Sequence, residues 1–361
     1  MPLTRSDRSD TAARVRSAST SAATRSGARR SARLAALGLA LAAIVLSGCG
    51  PELGPVRKLT NIAAPRLPEL SDPSVVRVDS TYYIYGSNNH LRAPVTRTTD
   101  IGRSYSLQAK NQLTSNAMPT RPAWAGSSNP IQLWAPTVHR FGNTWVMYFS
   151  MDRQNPPQPN NPQCLGRATA SNPMGPFTPD PSPAHCGLRG TGGALDPQFY
   201  VDKHGRPGLL AAFGDTESPI HHLSLDGAGR IVGAATAILR RQHGWEYHFI
   251  ENPAMVYDWS RDDYLLTYSA GRWWEGRYST GIARCSTPAG PCTSDPSGPW
   301  VSSGAGRTGP GGLSFFTDTT GRTHGIFSTF AAGFETQSGG RSASIMPLQI
   351  QPAVGLGDVT K

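Results

Sequence analysis

The sequence predicts an all-β protein built as a five-bladed β-propeller. Three observations support this prediction: two apolar runs around a polar turn recur about every 60 residues, each unit opens on an X-Pro dipeptide, and no segment after residue 49 has helical hydrophobic spacing. Repeats of this length that hold three or four short strands are typical of propellers. A β-sandwich would not produce such a period.

Each predicted blade has the same internal order, in which the X-Pro dipeptide is followed by a first strand, a turn rich in Gly, Asn or Asp, and a second strand. The blades open at Asp72-Pro73, Ala135-Pro136, Asp196-Pro197, Asn252-Pro253 and Gly309-Pro310, with prolines 63, 61, 56 and 57 residues apart. The first strands are predicted at Ser74–Val78, Thr137–Phe141, Gln198–Asp202, Ala254–Asp258 and Leu313–Asp318. The second strands are predicted at Tyr82–Ser87, Trp145–Ser150, Pro207–Phe213, Tyr264–Ser269 and His324–Thr329. A final run, Ser342–Ile350, predicts a last strand that closes the ring beside the first blade.

The first 49 residues have the composition of an export signal. They contain eight Arg and two acidic residues, and residues 34–48 form an uncharged run of 15. That run is shorter than the roughly 20 apolar residues that span a bilayer, and its length is typical of a secretory signal. It ends in Leu46-Ser47-Gly48-Cys49, which resembles the lipobox of bacterial lipoproteins and implies that Cys49 is lipidated. We therefore expect an exported protein, either a cell-surface lipoprotein or a secreted one.

Three segments follow from this interpretation. Residues 1–49 are the signal peptide, residues 50–68 a tether with four prolines, and residues 69–355 the propeller domain. The formal net charge of +10 includes +6 from residues 1–49, so the remainder carries only +4. No later stretch groups Lys and Arg with aromatic residues, which argues against a nucleic-acid partner. We expect a monomer that meets the membrane only through the lipid on Cys49.

The cysteines after residue 49 are even in number, as expected for disulfides in an exported chain. Four cysteines allow three pairings. Cys285 and Cys292 flank a short loop with two prolines, so we predict that they pair with each other and that Cys164 pairs with Cys186. Free buried thiols are the alternative. The spacing lacks the C-x₂-C pattern of a zinc site.

Acidic residues stand where three of the predicted blades begin. Asp72, Asp196 and Glu251 open the first, third and fourth blades, and the starts of the innermost strands of a propeller converge on its axis. Inward carboxylates repel one another and are costly without a function. Trp134 holds the position in the second blade that matches Glu251, where an aromatic ring can stack on a sugar. Trp273 and Trp274 form a second candidate sugar platform.

Short motifs at the blade starts follow one another in a fixed order. They are Asp72-Pro73-Ser74-Val75 with Tyr82-Tyr83-Ile84-Tyr85, then Trp134-Ala135-Pro136-Thr137, Leu195-Asp196-Pro197 and Glu251-Asn252-Pro253. In order and spacing they resemble glycoside hydrolase family 43, the five-bladed propeller glycosidases, over about residues 68–350. The resemblance implies that Asp72 is the general base, that Glu251 is the general acid, and that Asp196 tunes and orients the acid.

The same resemblance implies hydrolysis of arabinose- or xylose-containing plant polysaccharides or oligosaccharides by an inverting mechanism. Loops Arg153–Cys186 and Trp273–Tyr278 are expected to decide between arabinofuranosides and xylosides and between exo and endo cleavage. One alternative is a non-catalytic carbohydrate-binding propeller at the cell surface. A fructan-cleaving propeller is another, although the Trp134-Ala135-Pro136 element argues against it.

The fifth blade departs from the family pattern. Gly312 stands where the family often has a His that is associated in some members with a metal ion, and Ser328 stands where a second His is expected. His139, His243, His248 and His324 do not have the spacing of metal ligands and are interpreted as surface or packed residues. We therefore predict no metal site and no required cofactor.

Overall fold

The structure is a computed structural model that describes residues 70–350, apart from 102–114, 127–131, 156–162, 188–192, 215–217, 305, 332–339 and 349. All described residues belong to one compact unit, Leu53–Lys361. The predicted signal peptide, the lipidated Cys49 and the tether lie outside the described residues. Across the described ranges, no helix has the length and apolar character needed to cross a membrane.

Five antiparallel sheets form the structure, which confirms the predicted all-β, five-bladed propeller. In every sheet the strands follow one another in chain order, so each predicted repeat is one meander. The first sheet contains β1 (Ser74–Val78), β2 (Thr81–Tyr85), β3 (Pro94–Thr98) and β4 (Ser115–Asn116); the second contains β5 (Trp134–Phe141), β6 (Thr144–Asp152), β7 (Gln163–Ala170) and β8 (Thr178–Pro179). The third contains β9 (Ala194–Val201), β10 (Pro207–Phe213), β11 (Ile220–Leu225) and β12 (Ile231–Leu239). The fourth contains β13 (Ile250–Asp258), β14 (Asp263–Ala270), β15 (Ser279–Cys285) and β16 (Cys292–Ser294), and the fifth β17 (Arg307–Thr317), β18 (Thr323–Ala331) and β19 (Ser342–Pro347).

Apolar side chains fill the gaps between neighbouring sheets. One cluster joins the first sheet to the second through Val95 and Phe149, and others join the second to the third and the third through the fourth to the fifth. A further cluster packs Ile84 of the first sheet with Phe316 of the fifth. Each fully buried side chain of this size contributes roughly 1.5–3 kcal/mol. The inner strand β1 contacts both β5 and β17, so the ring is closed.

The predicted last strand, Ser342–Ile350, corresponds to β19. It pairs with β18 as the third strand of the fifth sheet, with Ile345 opposite Ile326. Among the described residues it adds no hydrogen-bonded strand to the first sheet, and it faces that sheet only through the apolar cluster that contains Ala343. Packing, rather than a shared sheet, therefore closes the ring.

Near the start of each inner strand, one residue has a left-handed backbone. The φ angle is 46° at Asp72, 44° at Ala135, 53° at Asp196, 49° at Asn252 and 63° at Gly312. Proline disfavours the right-handed helical region for the residue before it, which explains the repeated X-Pro dipeptide in the first four blades. In the second to fifth blades, irregular strand pairing near this position marks a β-bulge, which changes the direction of the side chain.

The predicted start of the fifth blade at Gly309-Pro310 is wrong by three residues. Gly311 pairs with Ser328 as Glu251 pairs with Ser269 and Trp134 with Ser150. The position equivalent to Asp72-Pro73 is therefore Gly312-Leu313. Because glycine adopts the left-handed conformation without strain, this blade keeps the bulge without a following proline.

Both predicted disulfides are present. Cys285 and Cys292 lie directly opposite each other on β15 and β16, and Cys164 of β7 bonds to Cys186. The segment Arg153–Cys186, predicted to be a loop, contains β7 and β8, and the disulfide ties its end to β7.

Candidate active site

A narrow cavity lies on the axis of the propeller. The left-handed residue of every blade lines it, namely Asp72, Ala135, Asp196, Asn252 and Gly312. The repeat therefore brings Asp72 and Asp196 to one cavity, and Glu251 precedes Asn252 in the chain. The backbone of all five blade starts therefore converges on one cavity, as the sequence predicts.

Serines at the ends of the second strands hold these axial residues. The backbone N–H groups of Ala135, Asp196 and Gly312 donate to the hydroxyl oxygens of Ser87, Ser150 and Ser269 respectively, each at 2.9 Å. Each serine belongs to the blade before the residue it holds. The hydrogen bonds therefore join neighbouring blades around the axis.

The third blade breaks this series. Ala212 pairs with Leu195 there, in the position that the serines hold in other blades. The N–H of Asn252 donates to Oδ2 of Asp196 instead, at 3.1 Å. Asn252, the neighbour of Glu251 in the chain, is therefore bound to the carboxyl group of Asp196 rather than to a serine.

Asp72 accepts a hydrogen bond from the Ser87 hydroxyl at 2.5 Å. Because the Ser87 oxygen already accepts the N–H of Ala135, its hydrogen is directed to Asp72. The pKa of Asp72 is raised above its usual value, because burial outweighs the Ser87 hydrogen bond, the Arg341 guanidinium and a hydrogen bond from the Asn252 side chain, which lower it. The donors favour the ionised form of this carboxyl group.

Glu251 has a different environment. The Tyr278 hydroxyl donates to its Oε1 at 2.6 Å. Burial is the main cause that raises the pKa of Glu251 to about 7, and repulsion from Asp72 adds to it. The Tyr278 hydrogen bond and the Arg341 charge act in the opposite direction. A carboxyl group with this pKa is protonated over most of the acidic range and can give up its proton near neutrality.

Asp196 is the most buried of the three acids, with 8% of its surface exposed. Burial and then repulsion from Glu251 and Asp72 raise its pKa well above the usual value, against the hydrogen bond from the Asn252 N–H. The three carboxyl groups therefore influence one another's ionisation and titrate as a cluster.

The tryptophans lie in two settings. Trp134 is half-buried at the start of β5 and pairs with Ser150, so it is the structural equivalent of Glu251. Trp273 and Trp274 are 51% and 39% exposed and meet edge to face at 5.4 Å between ring centroids. The Trp273 carbonyl accepts a hydrogen bond from Arg341 Nη1 at 3.1 Å, which anchors their loop to the fifth blade.

The residues of the fifth blade do not fit a metal ion held by the family's two histidine positions. Gly312 has no side chain, and the oxygens of Ser328 accept hydrogen bonds from the buried guanidinium of Arg341. Within the described part of the chain, no group of three or more His, Cys, Asp or Glu residues is placed to bind a metal.

The predicted surface or packed histidines include two with clear environments. His139 packs between Phe141 and Phe199, and burial lowers its pKa to about 4. His324 contacts Asp318 at 2.8 Å. Neither environment resembles a metal site.

Sequence reasoning missed four residues of the site: Ser87, Asn252, Tyr278 and Arg341. Ser87 had a signal, because three of the predicted second strands end in serine. Asn252 lies in the quoted Glu251-Asn252-Pro253 motif, yet its three hydrogen-bonding partners are distant in the sequence. Tyr278 and Arg341 occupy positions that no repeat marks, so only the folded chain places them here.

The family model for glycosyl hydrolases family 43 matches residues 65–353. The chain belongs to that family. One curated relative of this family 43 chain is an extracellular endo-α-(1→5)-L-arabinanase of Thermotoga petrophila, which is 26% identical over 61% of the chain and 50% of the relative. Another is the extracellular endo-α-(1→5)-L-arabinanase 2 of Bacillus subtilis, which is 24% identical over 74% of the chain and 58% of the relative. The chain thus spans about half the length of these relatives.

Solved structures of family 43 proteins have the same fold. An α-L-arabinofuranosidase from Lactobacillus brevis superposes with a TM-score of 0.65 at 18% identity, over 80% of the family 43 chain described here and 94% of the other. At 18% identity, this similarity is evidence for the propeller fold alone.

Proposed function

We propose that the protein is an inverting glycoside hydrolase that cleaves arabinose-containing plant polysaccharides. The observation that carries the proposal is a pair of interacting carboxyl groups at two blade starts, Asp72 and Glu251, each of which accepts a hydroxyl hydrogen bond from a different donor, Ser87 or Tyr278. Burial raises the pKa of both groups, that of Glu251 to about 7, and hydrogen bonds from Ser87 and Asn252 oppose the rise at Asp72. Family membership and the curated arabinanases support the reaction and the sugar.

The proposed reaction is a single displacement. Glu251 gives its proton to the glycosidic oxygen as the bond from that oxygen to the anomeric carbon breaks. Asp72 takes a proton from a water molecule, whose oxygen forms the new bond to the anomeric carbon on the opposite face. Glu251 ends ionised and Asp72 protonated, and proton exchange with solvent restores both. The proposal assigns no step to a metal ion or cofactor.

Asp196 is proposed to tune and orient the acid. It is bound to the N–H of Asn252, the neighbour of Glu251, and Glu251 and Asp196 repel each other when both are ionised. Trp134, Trp273 and Trp274 are proposed to stack on sugar rings, because an aromatic face and the C–H face of a sugar bury apolar surface against each other.

The proposed setting is outside the cell, with Cys49 lipidated after removal of residues 1–48 and residues 69–355 forming the catalytic domain as a monomer. The names of the curated relatives include the word extracellular, which supports export. The exact substrate, whether arabinan or another arabinose- or xylose-containing polymer, is tested by product analysis on purified arabinan, arabinoxylan and xylo-oligosaccharides.

Proton NMR of the first sugar released tests the mechanism. An α-L-arabinofuranoside is expected to yield the β-anomer first, because one displacement inverts the anomeric centre. Product with retained configuration would contradict the roles assigned to Asp72 and Glu251 and would favour the covalent route expected of a fructan-cleaving propeller. Calorimetric affinity for arabinan without any product would favour the carbohydrate-binding alternative.

Gly312→Ala is expected to reduce activity by displacing Asp72. A Cβ atom at this position would lie 3.0 Å from Asp72 Oδ1 and 3.2 Å from its Cα. A misplacement of the base of this kind lowers kcat about 10–100-fold. Left-handed alanine also costs roughly 1–2 kcal/mol of stability.

Gly142→Ala is the matched control, because Gly142 has a φ of 58° and no atom within 4 Å of the added Cβ. Thermal unfolding should show comparable backbone destabilisation in both variants, while steady-state kinetics should show the loss of kcat only in Gly312→Ala. Equal activity in the two variants would contradict the contact with Asp72.

A further inference from the structure

Tyr278 is a buried residue in contact with the proposed acid. It comes immediately before β15 and is 1% exposed. Its hydroxyl donates to Glu251 Oε1 at 2.6 Å, across 27 residues of sequence. Burial and the neighbouring Glu251 charge raise the pKa of Tyr278 well above its usual value, so the hydroxyl keeps its hydrogen throughout the working pH range.

The direction of that hydrogen is determined by Asn252. The Asn252 side-chain amide donates to the Tyr278 oxygen at 3.2 Å. Because this contact uses a lone pair of the phenol oxygen, the phenol hydrogen is available for Glu251. One residue of the fourth blade, next to the acid in sequence, thus orients the donor that holds the acid.

Packing holds the Tyr278 ring in place. The Arg341 guanidinium carbon lies 5.3 Å from its ring centroid, within the range of a cation–π contact. On another side, a Cβ atom at Gly311 would overlap the ring. Gly311 is the structural equivalent of Glu251 and Trp134, and its lack of a side chain leaves space for the Tyr278 ring.

We propose that Tyr278 is a positioning residue of the reaction: by binding Glu251 Oε1 it leaves Oε2 as the oxygen that carries and delivers the proton. This inference rests on the proposed role of Glu251 as the acid. A carboxylic acid has one hydrogen on one oxygen, and the oxygen that accepts the Tyr278 hydrogen is the poorer place for it. The acid then presents its proton in one direction only.

The same bond also sets the pH range of the acid. Burial and Asp72 raise the pKa of Glu251, and Tyr278 and Arg341 lower it. Asp196 also interacts with Glu251, and the two groups repel each other when both are ionised. Hydrogen bonding to the ionised form lowers a pKa, so removing the phenol hydroxyl raises the pKa of Glu251. The acid then stays protonated to higher pH.

Tyr278→Phe tests the proposal because phenylalanine keeps the ring and removes only the hydroxyl. We expect the basic limb of the kcat profile on arabinan to move upward by about 1 pH unit, since a hydrogen bond to a charged group is worth roughly that much. We expect kcat at the optimum to fall about tenfold and KM to stay within about twofold, because the lost contact orients the acid rather than the substrate.

Tyr247→Phe is the matched control. Tyr247 also donates its hydroxyl to a carboxylate, Glu275 Oε2 at 2.9 Å, within the same blade. The basic limb of the kcat profile of Tyr247→Phe should coincide with that of the wild type. Equal thermal unfolding temperatures of Tyr278→Phe and Tyr247→Phe would show that any difference in the limb does not come from general destabilisation.

A direct titration complements the kinetics. The chain has seven glutamates, so ¹³C-carboxyl labelling of Glu gives few resonances, and the one absent from Glu251→Gln belongs to Glu251. Its midpoint should move upward in Tyr278→Phe. An unmoved or lowered midpoint would overturn the inference about Tyr278. A Glu251→Gln variant with full activity on arabinan would instead overturn the proposed function, so the two failures are distinguishable.

Discussion

Glu251→Gln is expected to lower kcat on arabinan by about 10²–10⁴-fold, the usual contribution of a general acid. Glutamine has the shape of glutamate but has no proton to give to the departing sugar oxygen. An aryl arabinofuranoside with a strongly acidic phenol needs no such proton. Its hydrolysis should therefore remain within about tenfold of the wild type.

Steady-state kinetics on the two substrates measures this contrast, and each substrate acts as the control for the other. Arabinan hydrolysis at the wild-type rate would remove Glu251 from the mechanism. Equal losses on both substrates would indicate a role other than protonation of the leaving group.

Asp72→Asn is expected to abolish hydrolysis of both substrates, with losses of about 10⁴-fold. No leaving group, however acidic its phenol, replaces an activated water molecule. Asparagine keeps the size of the side chain and tolerates the left-handed backbone that Asp72 adopts. The loss therefore reports the missing base rather than a change of fold.

Asp79→Asn provides the control for this variant. Asp79 is also a left-handed Asp of the first blade, with a φ of 53°, but it is exposed in the turn between β1 and β2. Its activity should equal that of the wild type on both substrates. An Asp72→Asn enzyme that still hydrolyses the aryl substrate at the wild-type rate would refute the general-base role.

The sequence predicts the fold well because the propeller repeats a local signal. In the first four blades the X-Pro dipeptide marks a residue with a left-handed backbone, and this conformation depends on neighbouring residues. The start of the fifth blade was predicted three residues too early, because Gly309-Pro310 has the same X-Pro signal and a left-handed Gly309, whereas Gly312 is not followed by proline. The signal that predicts the blades is thus proline, whereas the feature it accompanies is the backbone conformation.

The sequence predicts the acidic residues of the candidate site but not their hydrogen-bonding partners. Asp72, Asp196 and Glu251 could be named because each stands at a repeated position. Their environments could not, since the donors reach them from other blades or from the loop before β15. Tyr278 lies 27 residues from Glu251, and the charge of Arg341, in the segment before β19, lowers the pKa of Asp72 and Glu251. Such contacts are products of closing the ring and leave no periodic mark in the sequence.

The absence of a serine at Ala212 has a consequence for the symmetry of the molecule. A ring of five identical blades would present five equivalent backbone donors, each satisfied by its neighbour, and no direction across the axis would differ from another. Ala212 removes one of these acceptors, and the released Asn252 N–H binds a carboxylate of the third blade. The chain thereby acquires a polarity perpendicular to its axis. The Asp196 carboxyl group and the segment that carries Glu251 are tied together on one side of the axis, so the ring lacks fivefold symmetry at the proposed acid.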